Sequence, residues 1–421
     1  MKLDLTDLIY ALSFALDKVE FELLGSETGH GRRVACLCLF MAEHAGISGE
    51  ELRDYIGCCV LHDNALTEFI HEELDNFKYI TDESGKQLSG AVNTNYVEHD
   101  SNHCIVGEQN IHLVPFRTDE NNIILYHHEH ADGSGPLGKT AAETNLKTQI
   151  LHLADELDIH YKLSSLTESE FNRISEWVQS QAGKMFSEEA VQLFQDAVTY
   201  DKILYLKNKG AFSSLKRELR TVTSDYSDEE IHSFARMFAS IIDYKSEFTQ
   251  THSLGVADKA EQMANYYGFD REKATRFYLA GALHDIGKLL VSNDILEKPG
   301  KLTDDEFSVM RDHASATRYV LRLVKGIPDV VRWASNHHEK LNGKGYPRGL
   351  TAENLSFEER LMACVDIYQA LTEQRPYKDG IPHEKAIAIM QNMADKGEID
   401  MTIVQDMAVV MADAALVSDN V

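Results

Sequence analysis

The sequence predicts a mostly α-helical chain of two domains. Three observations lead there: its length, the scarcity of strand-like alternation, and an internal repeat of histidines and aspartates. At 421 residues the chain exceeds one ordinary core and suits two domains with a connecting segment. Helical periodicity runs through "VADKAEQMANYYGF", where Ala257, Ala260, Met263, Ala264 and Tyr267 share a face and Gly268 is a stop. "DREKATRFYLAGALHDIGK" restarts at Asp270, a good N-cap, and runs to a break at Gly287. Several of the seven prolines fall in loop-like stretches such as "KPGK", "GIPD" and "GYPRG". The best strand candidates lie in the first half: "FKYITD", "HLVPF" and "NNIILYHHE". They predict a minor β component there.

Composition narrows the function. Hydrophobic residues at 43% and charged residues at 26% are ordinary for a globular protein. The net charge of −27 argues against a nucleic-acid surface, which needs basic stripes. It leaves room for a small phosphate ligand, because bound cations reverse the field inside a pocket. No apolar run predicts a membrane span, since "IVQDMAVVMADAALV" is broken by Asp406 and Asp413. Asp4 and Asp7 stand where a secretory signal would be apolar, so a cytoplasmic location is expected. Six cysteines without a CxxC pair read as buried thiols of a reducing compartment.

The repeat organises the chain. His30 precedes His62 by 32 residues, and His252 precedes His284 by 32. His103 precedes His127-His128 by 24, as His313 precedes His337-His338. Asp155 and Asp366 follow their pairs by 28 and 29. Only the middle interval differs, 41 residues against 29, and the surplus falls in "TDESGKQLSGAVNTN". A duplicated module explains this better than chance. The expected division is a first copy over 1–205, a helical linker over 206–230 and a second copy over 231–421.

Five histidines and two aspartates in the second copy are more ligands than one tetrahedral ion uses. Imidazole and carboxylate without thiolate favour iron or manganese over a structural zinc. Adjacent His284 and Asp285 point about 100° apart on a helix, so a bridging Asp285 can reach two neighbouring ions. This is the donor set of a two-metal hydrolytic site. Lys288, one turn after His284, is placed to hold a phosphate oxygen or the incoming water. Glu339 is expected to orient an imidazole. The plain alternative is that these histidines are satisfied core residues.

The segments "HDIGK", His313, "HHEKLNGKGYP" and "DIYQALTEQRPYK" resemble the HD-GYP family of metal-dependent phosphodiesterases, over roughly 240–410. The resemblance implies two HD-type helical-bundle domains in tandem, joined by a helical linker, with a divergent first copy. It implies hydrolysis of a cyclic dinucleotide, cyclic di-GMP and/or 3′3′-cyclic GMP-AMP (3'3'-cGAMP), to a linear product. The implied ligands of two divalent metal ions are His252, His284, Asp285, His313, His337, His338 and Asp366, with Asp285 and Lys288 catalytic. Lys288, Tyr346, Arg375 and Lys378 would bind substrate. Some members hold a third metal through a Glu one turn before the first histidine; here Phe248 stands there and Glu247 is out of phase, so two ions are expected. Asn342 departs from the family's Asp at the turn but tolerates its backbone.

The first copy keeps His30, His62, Asp63, His103, His127, His128 and Asp155 as a further metal site. It has Leu66 in place of the lysine, Pro136 directly after Gly135 in place of the tyrosine, and no Arg–Lys pair. The expectation is a regulatory or metal-binding unit without hydrolysis; a scaffold of packed histidines is the alternative. The whole chain has a rival reading from another class, a non-catalytic cyclic dinucleotide receptor or docking module for nucleotide cyclases. Expected partners are therefore the cyclic dinucleotide, with no nucleic acid and no membrane; a homodimer and contact with nucleotide cyclases are further options.

Overall fold

Helices carry both halves of the chain. The computed structural model describes residues 1–24, 29–66, 102–161, 163–207, 215, 223–245, 251–298, 300–374 and 380–418. Contacts divide it into two compact units, Asp4–Thr223 and Ser224–Val421 joined by Met1–Leu3. Much of the expected linker (208–214 and 216–222), the surplus segment "TDESGKQLSGAVNTN", the strand candidate "FKYITD", and Glu247 and Phe248 lie outside the described residues.

The N-terminal unit contains α1 (Leu5–Leu24), α2 (His30–His44), α3 (Gly49–Val60), α4 (Asn102–Ile111), α5 (Leu146–His160), α6 (Glu168–Ser180), α7 (Glu188–Ala197) and α8 (Tyr200–Lys207). Helix α2 packs on α3 and α5, burying Leu37, Tyr55 and Leu153 around it. Local chemistry sets the starts: the Asn145 side chain accepts from Thr148 N before α5, and Thr167 with Glu170 forms a capping box before α6.

Two strand candidates are turns instead. In "HLVPF" two amides bond locally, Val114 N to Ile111 O of the preceding helix at 2.9 Å and Phe116 N to Val114 O at 2.8 Å. In "NNIILYHHE" the Glu108 carboxylate accepts from Asn122 N and Leu125 N, at 2.5 and 3.0 Å. With their donors taken locally, neither segment can join a ladder. Among the described residues the sheet is one antiparallel pair, β1 (Lys2–Leu3) on β2 (Ser224–Asp225).

The C-terminal unit contains α9 (Asp228–Tyr244), α10 (His252–Tyr266), α11 (Arg271–Leu283), α12 (Asn293–Leu296), α13 (Asp304–Leu321), α14 (Pro328–Ser335), α15 (Phe357–Thr372), α16 (His383–Asp395) and α17 (Met401–Ser418). Asp270 caps α11 as its sequence predicts, accepting from Lys273 N at 2.8 Å. Helices α10 and α11 cross closely because small residues face each other; a Cβ on Gly281 would lie 2.9 Å from Ala257 Cα. After Leu283 the chain tightens into a 3₁₀ turn, Ile286–Leu290. Thr317 of α13 stitches this turn down, accepting from Gly287 N at 3.1 Å and donating to His284 O at 2.9 Å. That approach explains the glycine, since a Cβ on Gly287 would run into His313 O and lie 2.7 Å from Thr317 N.

Among the described residues no helix is long and apolar enough to cross a membrane, and all six cysteines are free and buried. Because backbone cannot yield as a side-chain tip does, Gly287→Ala is expected to cost the C-terminal unit about 1–3 kcal/mol, measured by denaturant unfolding. A stability equal to the parent's would show that α13 is not held as closely as described.

Candidate metal centre

Three helices and two turns bring seven side chains of the C-terminal unit together. His252 opens α10, His284 and Asp285 follow α11, His313 lies in α13, His337 and His338 follow α14, and Asp366 lies in α15. Asp285 stands between the rest. Its Oδ2 is 3.2 Å from His284 Nε2 and 3.8 Å from His252 Nε2. Its Oδ1 faces the other way, 3.4 Å from His313 Nε2 and 3.8 Å from His337 Nε2. Asp366 spans the same gap, with Oδ1 3.2 Å from His252 Nε2 and Oδ2 3.6 Å from His338 Nδ1. Two groups result, His252–His284–Asp366 and His313–His337–His338, each with donor atoms within 4.8 Å of one another.

The imidazoles are oriented from behind. Nδ1 of His284, His313 and His337 each bonds a backbone carbonyl, of Gly281, Met310 and Ala334, at 2.6 Å. A carbonyl only accepts, so each ring is the Nδ1–H tautomer with its Nε2 lone pair turned inward. His252 instead backs onto Glu373, Nδ1 to Oε2 at 3.1 Å. Charges are distributed to match. Burial, then the neighbouring imidazoles, holds His337 well below the usual histidine range. Burial dominates at His338, pushed down to about 3. Burial also opposes charge on His252, yet Asp366 and Glu373 outweigh it and lift the ring to about 9. Asp285 and Asp366 stay well below the carboxylate range despite burial, held by His284 and Lys288 and by His252 respectively. His337 and His338, kept neutral beside ionised carboxylates, are donors ready for a divalent ion, and His252 would give up its proton on binding one, so the residues fit a metal pair.

The mouth of the site is recognisable by exposure. His338 is 28% exposed, whereas the other ligand side chains are nearly sealed. Lys288 Nζ sits 2.5 Å from Asp285 Oδ2; burial opposes its charge, but that carboxylate outweighs it and raises its pKa. The Tyr346 ring lies 4.7 Å from the His338 ring, with the Arg311 guanidinium 4.7 Å from the tyrosine's centroid on the rim. Arg375 and Lys378 lie outside the described residues.

The loop after the histidine pair explains why its sequence is written twice. Glu339 does not orient an imidazole; its carboxylate accepts from Arg348 N at 2.7 Å and Leu350 N at 2.8 Å. Glu129 does the same with Leu137 N and Lys139 N. Gly343 and Gly133 adopt φ of 73° and 82°, where a Cβ is unwelcome. Gly345 and Gly135 pack on the turn's own backbone; added Cβ atoms would lie 2.5 Å from Glu339 Cα and 2.7 Å from Glu129 Cα. Asn342 serves as Asp132 does, its Oδ1 accepting from the amide two residues on.

The N-terminal unit gathers its own seven residues. His30 Nε2 lies 3.0 Å from Asp155 Oδ1, and His62 Nε2 lies 3.3 Å from the same oxygen. Asp63 splits its oxygens as Asp285 does, Oδ2 3.5 Å from His62 and Oδ1 3.9 Å from His127. His62 and His127 are backed by the Cys59 and Ile124 carbonyls, and His30 by Asp158 at 2.8 Å. Here the mouth is shut: His128 is 6% exposed where His338 is 28%, and Leu66 is buried. Sequence reasoning missed Glu373, Arg311, Asp158 and Cys104. Only Cys104 carried a signal, lying next to His103.

Comparison with known proteins gives matches to part of the chain and to nearly all of it. Residues 236–403 match the HD domain family. The chain is 27% identical to the 3'3'-cGAMP-specific phosphodiesterase 1 of Vibrio cholerae, over 95% of this chain and 90% of that one. It is 32% identical to the 3'3'-cGAMP-specific phosphodiesterase 3 of the same organism, over 62% of this chain and 57% of that one. A cyclic di-GMP phosphodiesterase of Pseudomonas aeruginosa is 34% identical over 47% of this chain and 50% of its own length. The crystal structure of a cyclic GMP-AMP-specific phosphodiesterase from V. cholerae shares the fold, with a TM-score of 0.63 over 98% of both chains at 22% identity.

Removing the carboxylate behind His252 tests the first group directly. Glu373→Gln is expected to weaken divalent-ion affinity roughly 10–100-fold, read by chelator competition with metal analysis. Affinity unchanged from the parent would take His252 out of the ligand set.

Proposed function

We propose that this chain, whose residues 236–403 match the HD domain family, belongs with the HD-GYP phosphodiesterases and that its C-terminal unit hydrolyses a 3′,5′-cyclic dinucleotide to a linear dinucleotide. The observation that carries this reading is the split of Asp285, one oxygen toward His252 and His284 and the other toward His313 and His337. Such a carboxylate would serve two neighbouring ion positions at once. Two divalent ions, iron or manganese by the donor set, would supply Lewis acidity at the phosphoryl group and acidify water.

The protein's own groups then have defined tasks. His252, His284 and Asp366 would hold one ion, His313, His337 and His338 the other, and Asp285 would serve both. Lys288, close to the partly exposed mouth, offsets charge on a phosphoryl oxygen as it develops. Tyr346, packed against His338 and under Arg311, offers a flat face for a base or sugar. Arg375 and Lys378 are assigned to phosphate on their motif alone. The substrate is cyclic di-GMP and/or 3'3'-cGAMP; two relatives that match over 95% and 62% of this chain are named for the latter, which supports testing it first. We place the N-terminal unit outside the hydrolytic reaction but assign it metal. Buried Leu66, Pro136 after Gly135 and the sealed His128 support this. Free buried cysteines fit a cytoplasmic setting.

Full-length protein loaded anaerobically with iron or manganese should convert one or both dinucleotides to linear product, resolved by chromatography. His284→Ala and Asp285→Ala should each abolish turnover; activity in either, or no product from metal-loaded parent protein, would overturn the assignment. Arg311→Ala should raise KM roughly 3–30-fold through loss of the cation–ring contact, with kcat little changed.

A further inference from the structure

The N-terminal unit departs from its counterpart by one donor. Cys104 follows His103 on α4, where Ala314 follows His313. Its Sγ is buried, 3.5 Å from His103 Nε2 and 3.7 Å from His127 Nδ1. His103 Nε2 is in turn 3.0 Å from His128 Nε2. One donor atom from each of His103, Cys104, His127 and His128 falls within 4.8 Å of all the others.

The Sγ to His103 Nε2 and His103 Nε2 to His128 Nε2 spacings are close to those of a coordination shell, which His127, its Nδ1 given to Ile124 O, would join through Nε2. A tetrahedral zinc ion with bonds of about 2.3 Å to sulfur and about 2.0–2.1 Å to nitrogen keeps sulfur and nitrogen about 3.5 Å apart, and two nitrogens about 3.3 Å. A polar core is the competing explanation, and hydrogen bonding argues against it. His127 donates from Nδ1 to Ile124 O at 2.6 Å, leaving Nε2 buried without a hydrogen-bond partner; His128 Nδ1 is likewise without one. Those two nitrogens lie 3.9 Å from Asp63 Oδ1 and Asp155 Oδ2 respectively, and are poorly satisfied unless something cationic lies among them.

We propose that the N-terminal unit holds a zinc-class ion, with Cys104 as a thiolate ligand beside His103, His127 and His128. The inference rests on the reading that this unit binds metal, and goes beyond it by naming the ligand and the ion. Binding deprotonates the thiol, and the proton leaves to solvent. A soft thiolate selects zinc over iron or manganese, whereas the C-terminal donors are nitrogen and oxygen alone. One chain would then hold two ion classes, one redox-inert and thiolate-bound, one open to substrate.

The test loads metal-free, full-length protein with cobalt(II). The parent should show a thiolate-to-cobalt charge-transfer band in the near ultraviolet, absent from Cys104→Ser and Cys104→Ala. The alanine variant reproduces the residue found at 314, and a far-ultraviolet spectrum and melting curve report its folding. Zinc retained against a chelator should fall at least about tenfold in both variants. Metal content lowered by His127→Ala, with no charge-transfer band or with a band that survives both Cys104 changes, would overturn the cysteine assignment and leave metal binding standing. Metal content unchanged by His127→Ala and His103→Ala would overturn both.

Discussion

A buried carboxylate between imidazoles organises the C-terminal unit. Asp285 is nearly removed from water, and an ionised group there is tolerated only with compensating charge and hydrogen bonds. His284, Lys288 and His313 supply them. The surrounding fold follows from keeping that arrangement: α11 must end at Leu283, the 3₁₀ turn must lie against α13, and Gly287 must have no side chain for it to do so. Ala257 and Gly281 let α10 approach until His252 and His284 stand 5.3 Å apart, ring to ring. Helix packing and ion geometry are thus one constraint. The same carboxylate in the N-terminal unit, Asp63, splits its two oxygens in the same manner but has no lysine beside it.

How much of this was legible depends on the range of the signal. The helical class, the caps at Asp270 and the stop at Gly268 were readable because they depend on local periodicity and local hydrogen bonds. The seven-residue ladder was readable because its intervals occur twice, and the structure brings both sets together. Glu339 was misread: its position next to two histidines suggested an imidazole partner, but the side chain points back to amides nine and eleven residues on. "HLVPF" and "NNIILYHHE" have strand composition, yet Glu108, outside both, takes two amides of the second. Glu373 and Arg311 were invisible for the same reason. Their roles arise from helices that meet only in three dimensions.

The two units show which parts of a site are frame and which are function. Carbonyl-backed imidazoles, the split aspartate and the glutamate-tied loop occur in both. What differs lies at the mouth: a lysine against a buried leucine, and an imidazole open to solvent against one shut away. A surface of this kind can change without disturbing the buried ligands, because the exposed groups carry little of the packing. Cys104 is the exception, a change made inside the frame.

The glutamate-tied loop has an evolutionary consequence. Between the packed glycine and the left-handed glycine that follows, the C-terminal loop runs from 345 to 349 and the N-terminal loop from 135 to 138, a difference of one residue. Both ends are clamped, by backbone packing on one side and by a carboxylate holding two amides on the other. A single codon can therefore enter or leave between the clamps while the histidines behind them stay in place. The tyrosine sits at that point. An open mouth and a closed one are, at this loop, one insertion apart, so a duplicated module has a short and structurally quiet route between the two.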